Sequence, residues 1–216
     1  VIIQKEALKD KVASHLRTRI LLGEYPRGLH LSEAQLSKDL SVSRGPIREA
    51  ILMLESEGLT ETPGNGRTIV KGYGKQEVLD LFQMRLMLES LAIRSLIEKG
   101  SHQDLSDLQD VQLLMEASHS KSDTIRLDIE FHYRIVKAAH NRTLLPMWLM
   151  IKGLTSALIE ITTGTYQDIG FVVQSHAEII QALLAGDAEQ AIRLLEEHLK
   201  VGQQMIITYL DGQAQE

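Results

Sequence analysis

The chain has 216 residues, 24 % charged and 44 % hydrophobic, with 15 glycines, 4 prolines and no cysteine. That is enough apolar material for a core of one or two domains. It excludes a disordered chain, a Gly-rich all-β fold, disulfides, thiolate metal sites and thiol catalysis. The net charge of −6 hides an asymmetry: residues 1–70 carry 10 Lys/Arg against 9 Asp/Glu, and the remainder carries 13 against 20. A local basic surface can therefore still bind DNA.

A first helix is expected over residues 5–22, where Leu8, Val12, Leu16 and Ile20 repeat every four residues. Gly23, Pro26 and Gly28 end it. Ser32 starts a short second helix, with Gln35 completing a capping box and Leu36 and Leu40 as its apolar residues. After a tight turn, Ser43 caps a third helix with Pro46 in its first turn. Ile47, Ile51 and Leu54 form its buried stripe, and Gly58 stops it. Two β-prone pieces at 59–62 and 67–70 flank Pro63-Gly64-Asn65-Gly66, a hairpin turn.

Beyond Gly72-Tyr73-Gly74 everything reads as helix, at about 75–99, 102–118, 123–139, 143–162, 169–185 and 188–210. Gly100, Asn141, Gly164 and Gly186 separate most of these, with Ser101/Asp104 and Asp187/Gln190 as start signals. The fold class is mainly α: a winged helix-turn-helix over 1–71, a linker at 72–74, and an all-α bundle of about six helices over 75–216. No apolar run approaches the roughly 18 residues of a membrane span, and VIIQKEALKDK has no signal-peptide pattern. A cytoplasmic protein with no membrane partner is expected.

The third helix opens Ser43-Arg44-Gly45-Pro46-Ile47-Arg48. Arg44 and Arg48 are four apart and share one face of the helix. They occupy the helix's first turns, the end that enters the major groove in this motif. Arginine reads guanine O6/N7 or holds a phosphate, and Ser43 with the free N–H groups of the first turn also suits a phosphate. Gly66 and Arg67 lie at the hairpin tip, placed for the minor groove or the backbone.

In the second part, Asp128 and His132 are four apart on one helix. His176 lies 10 residues before Gly186 and His198 lies 11 after Asp187. At 1.5 Å per residue both sit roughly 16 Å from the turn and can face each other. Three imidazoles and a carboxylate suit Zn, Ni, Mn or Fe without choosing among them. His15, His30, His102, His119 and His140 lack such spacing and are expected at the surface. Arg85 interrupts the apolar stripe Val78, Leu81, Leu88, Ala92, so it needs either an anion or its i+4 neighbour Glu89. Trp148, Met147 and Met150 read as core. A metal-dependent hydrolase is the rival reading, though no carboxylate at motif spacing offers a general base. A DNA-binding regulator with a purely structural metal is the third.

Leu31-Ser32-Glu33, Leu40 to Ala50, Leu54-Glu55 and Glu57-Gly58-Leu59 closely resemble the DNA-binding domain of GntR-family bacterial regulators. The resemblance implies that Arg44 and Arg48 are the recognition-helix arginines and Gly66 the wing-tip glycine. Many relatives carry Arg where Ala34 stands and Thr where Gly45 stands. The Asp-x-x-x-His…His…His pattern, Phe131-His132, Ala138-Ala139-His140-Asn141 and Ala185-Gly186-Asp187-Ala188 resemble the all-helical FCD ligand domain of the FadR subgroup. That implies a metal on Asp128, His132, His176 and His198, with Arg85 beside a small carboxylate effector. A homodimer on a palindromic double-stranded operator is the matching expectation.

Overall fold

A computed structural model of the chain describes residues 8–64, 66–162 and 169–213. Residues 5–7 of the expected first helix, Asn65 of the hairpin turn and the break at Gly164 lie outside them. The chain divides into two compact units, Val1–Gly74 and Lys75–Glu216.

In the first unit, α1 (Leu8–Leu21), α2 (Glu33–Asp39) and α3 (Arg44–Ser56) are followed by β1 (Thr60–Glu61) and β2 (Ile69–Val70). Val12, Ala13, Leu16 and Ile20 of α1 pack against Ile47, Ala50, Ile51 and Leu54 of α3, all buried. Leu8, expected on that stripe, is 49 % exposed. The strands are shorter than expected and antiparallel, with Thr60 opposite Val70 and Glu61 opposite Ile69. A third edge, not expected from the sequence, joins them: His30 bridges Ile69, and Leu31 N–H donates to Thr68 O at 2.9 Å. Gly28 and Pro26 nearby hide so short a strand from any periodicity argument.

Two expected caps differ. Gln35 N–H reaches Ser32 Oγ at 3.4 Å, but the Gln35 amide bonds Asp39 rather than closing a capping box. Ser43 stands at the N-cap of α3 without a side-chain cap bond.

A buried ion pair fastens this unit. Arg17 Nε and Nη2 donate to Glu57 Oε2 and Oε1, both at 2.7 Å, tying α1 to the C-cap of α3.

The second unit contains α4 (Lys75–Lys99), α5 (His102–Glu116), α6 (Lys121–Ala138), α7 (Leu144–Ile161), α8 (Ile169–Leu184) and α9 (Ala188–Gln213). Helix α4 packs on α9, α6 and α7, while α8 packs on α9 and α5. The α8–α9 turn has a clear cause. Gly186 adopts φ +71°, a left-handed conformation that costs glycine little. Its N–H bonds Leu183 O, and Asp187 N–H bonds Ala182 O, a Schellman stop. Asp187 Oδ1 then caps α9 by accepting from Gln190 N–H at 2.9 Å. At the α5 start, the expected signal of Ser101 and Asp104 takes the form of a capping box.

Helix α7 corrects two expectations. Its 18 residues are long and apolar enough, by length and composition, to cross a membrane. Counting uninterrupted apolar runs missed this, because Lys152 and Glu160 break the run without lowering its mean much. The helix packs against α6 and α4, burying Trp148, Leu154 and Leu158 as a core helix does. Met147 and Met150, expected in the core, are exposed. A helix apolar on all sides gives no period to say which face turns inward.

Candidate functional site

Asp128 and His132 on α6, His176 on α8 and His198 on α9 are all buried, and one donor atom of each lies within 4.8 Å of the others. The nearest atoms are the three Nε2 and Asp128 Oδ1. His132 Nε2 is 3.1 Å from His198 Nε2, which is 3.3 Å from His176 Nε2. Asp128 Oδ1 lies 3.7, 3.2 and 3.3 Å from the Nε2 of His132, His176 and His198. Ligands about 2.0–2.2 Å from one ion stand roughly 3.0–3.6 Å apart. The donor set therefore fits a single divalent transition metal.

The far side of two imidazoles is fixed. His132 Nδ1 meets Glu89 Oε2 at 2.6 Å, and a carboxylate can only accept, so Nδ1 carries the proton. In the neutral ring, the form that coordinates, its Nε2 lone pair faces the cluster. Ser175 Oγ donates to Val172 O, which leaves an oxygen lone pair for His198 Nδ1–H at 2.8 Å. His198 Nε2 is thereby also free. His176 stacks on Phe131 with ring centres 4.0 Å apart, and its buried Nδ1 has no partner among the described residues.

Charge follows the same plan. Burial and the neighbouring His198 push His176 down to about 3. Burial also lowers His198. Both are neutral at pH 7, as coordination requires. Burial opposes a charge on His132, but the carboxylates of Glu89 and Asp128 together outweigh it and raise that pKa. Burial would raise Asp128, but the three imidazoles gathered around it hold it well below the usual carboxylate range.

Glu89 does more than its i+4 spacing predicts. The expected pair with Arg85 exists, with Arg85 Nε donating to Glu89 Oε1 at 3.0 Å. Trp148 Nε1–H donates to the same oxygen at 3.0 Å. Burial would lift the Glu89 carboxyl, yet the charges of His132 and Arg85 bring it down to about 2. Arg85 is itself buried, and its Nη2 has no partner among the described residues. An unfilled buried donor is costly, so an acceptor is called for there. The other five histidines are exposed, as expected.

In the first unit, Ser43, Arg44, Gly45 and Arg48 are all exposed at the start of α3. Gly66 and Arg67 are exposed after the hairpin turn, where Gly66 N–H bonds Pro63 O and adopts φ +72°.

Residues 8–70 match the model of the bacterial regulatory proteins of the gntR family, and residues 80–201 match the FCD domain. The chain belongs to the GntR family. Among its relatives is the gluconate operon transcriptional repressor of Bacillus subtilis (strain 168), 26 % identical over 91 % of this chain and 84 % of that protein. Escherichia coli McbR/YncC shares the fold at TM-score 0.70 and 20 % identity, covering 94 % of this chain and 98 % of its own. A metal-free FCD domain aligns at TM-score 0.56 and 20 % identity, over 65 % of this chain and 99 % of its own. This GntR/FCD chain is a transcriptional regulator, not an enzyme, and the hydrolase reading falls.

One consequence concerns Glu89 in this regulator. Outer partners of ligating histidines set ring orientation and basicity, and losing one costs about 10–100-fold in metal affinity. Glu89→Gln is expected to weaken metal binding by about that factor, read by competition with a chromophoric chelator. Unchanged affinity would mean that His132 needs no such anchor.

Proposed function

We propose that this regulator binds a palindromic operator as a homodimer, and that a small organic acid held in the C-terminal bundle controls its operator affinity. The observation that carries the reading is one continuous buried set of contacts. Arg85, with an unfilled donor, bonds Glu89, and Glu89 bonds His132 of the Asp128/His132/His176/His198 cluster. When bound there, a divalent metal (Zn, Ni, Mn or Fe) supplies open coordination positions for carboxylate and hydroxyl or keto oxygens. Arg85 supplies a planar donor pair for an outer carboxylate oxygen. A relative named for the gluconate operon supports a hydroxy acid as the class.

Ser43, Arg44, Gly45 and Arg48 would meet the major groove, with Gly66 and Arg67 at the wing. Support for the dimer comes from exposed apolar residues in a row on α4 (Met84, Met87, Leu91) and on α7 (Met147, Met150). Acid binding would shift the population between DNA-competent and incompetent arrangements. Such work belongs in the cytoplasm.

The test is a thermal-shift screen of hydroxy, keto, dicarboxylic and sugar acids, with and without chelator. Acids are expected to stabilise the protein only when metal is present, and neutral sugars to do nothing. Arg85→Lys should weaken the acid response at least tenfold with metal content intact, because an ammonium cannot offer the same fork. No metal-dependent response to any acid would end this reading.

A further inference from the structure

Glu33, the first residue of α2, grips Arg48 in the second turn of α3. Arg48 Nε donates to Glu33 Oε1 at 2.9 Å, and Nη2 donates to Oε2 at 3.0 Å. The Arg48 side chain is 65 % exposed and that of Glu33 34 %. A pair so wet contributes little to folding. Its geometry matters more. The clamp uses two of the five N–H donors of Arg48 and leaves three on the two Nη nitrogens. One from each Nη points outward in parallel, the pair that meets guanine O6 and N7. Arg44 also lies within the field of Glu33, whose carboxyl is lowered first by the Arg48 hydrogen bond and further by both arginine charges.

We propose that Glu33 is a positioning residue for DNA specificity: it presents the outer donor pair of Arg48 to a base edge and offsets its charge toward phosphates in general. The proposal rests on Arg48 being a DNA contact. Two effects follow from the one carboxylate. Holding the fork still favours only the site where a base accepts both bonds. Repulsion between carboxylate and phosphate weakens binding to every sequence alike. Together they widen the gap between specific and non-specific DNA.

The probes are a duplex recovered by the wild-type chain from a randomised pool, and a shuffled duplex of equal composition. Binding is measured over a series of salt concentrations. Glu33→Gln keeps the size but turns an amide N–H toward the arginine. It is expected to bind shuffled DNA more tightly, with a salt slope steeper by about one, and to reduce the selected-to-shuffled ratio about tenfold. Glu33→Asp, which keeps the charge, should restore the wild-type salt slope. In the Arg48→Ala background Glu33→Gln should lower the ratio no further. An unchanged ratio in Glu33→Gln, beside a weakened Arg48→Ala, overturns the proposal and leaves the DNA-contact reading standing. Wild-type binding of both duplexes by Arg48→Ala overturns both.

Discussion

Chelation of the metal-loaded protein is expected to lower the melting temperature of the C-terminal unit by about 8–16 °C. A ligand present at a thousandfold its dissociation constant stabilises the folded state by about 4 kcal/mol. For chains of this size each kcal/mol moves the midpoint by about 2–4 °C. Four helices of the unit are tied through this layer by side chains of Glu89, Asp128, His132, His176 and His198. Asp128→Asn keeps the volume and removes the anionic ligand. It should purify with little metal and melt at one temperature with or without chelator. Acid should have the same effect as chelator, because a protonated imidazole cannot coordinate. Elemental analysis showing no metal, together with a melting curve indifferent to chelator, would refute the site.

The second large effect belongs to the N-terminal unit. Arg17→Ala should cost about 3–5 kcal/mol, because it strands the Glu57 carboxylate in the interior. Arg17 and Glu57 side chains are 6 % and 5 % exposed, so water cannot replace the lost partner. A unit of this size holds only about 4–11 kcal/mol in all. Urea unfolding should show the first unit melting early, and DNA binding should fall with it. The double replacement Arg17→Met with Glu57→Leu removes both charges and should recover most of the loss. A single mutant as stable as wild type would show that the pair carries no weight.

How far the sequence revealed these features varies with the physics of each. His176 and His198 could be placed opposite each other because two helices and one glycine stop make distance from the turn a matter of counting. Ile47, Ile51 and Leu54 were legible for the same reason, as a regular period on a helix with one wet face. Glu89 was half legible. Its bond to Arg85 is local and follows from i+4 spacing, but His132 lies 43 residues away, and no period connects them. Ser175 was not legible at all, since its role depends on where its own hydroxyl proton goes. Arg17 and Glu57 escaped for a similar reason: each reads as an ordinary surface charge until α1 and α3 are packed together.

The turn at Gly186-Asp187 has a consequence for how this family can vary. Each residue added to a helix rotates everything beyond it by about 100° and advances it 1.5 Å. One insertion between His176 and Gly186, or between Asp187 and His198, would carry an imidazole a quarter-turn away from its partners. A conservative change of side chain on the outer face of either helix leaves the layer intact. The α8–α9 hairpin is thus a ruler: its surface can drift in sequence, but an insertion or deletion in either arm breaks the site.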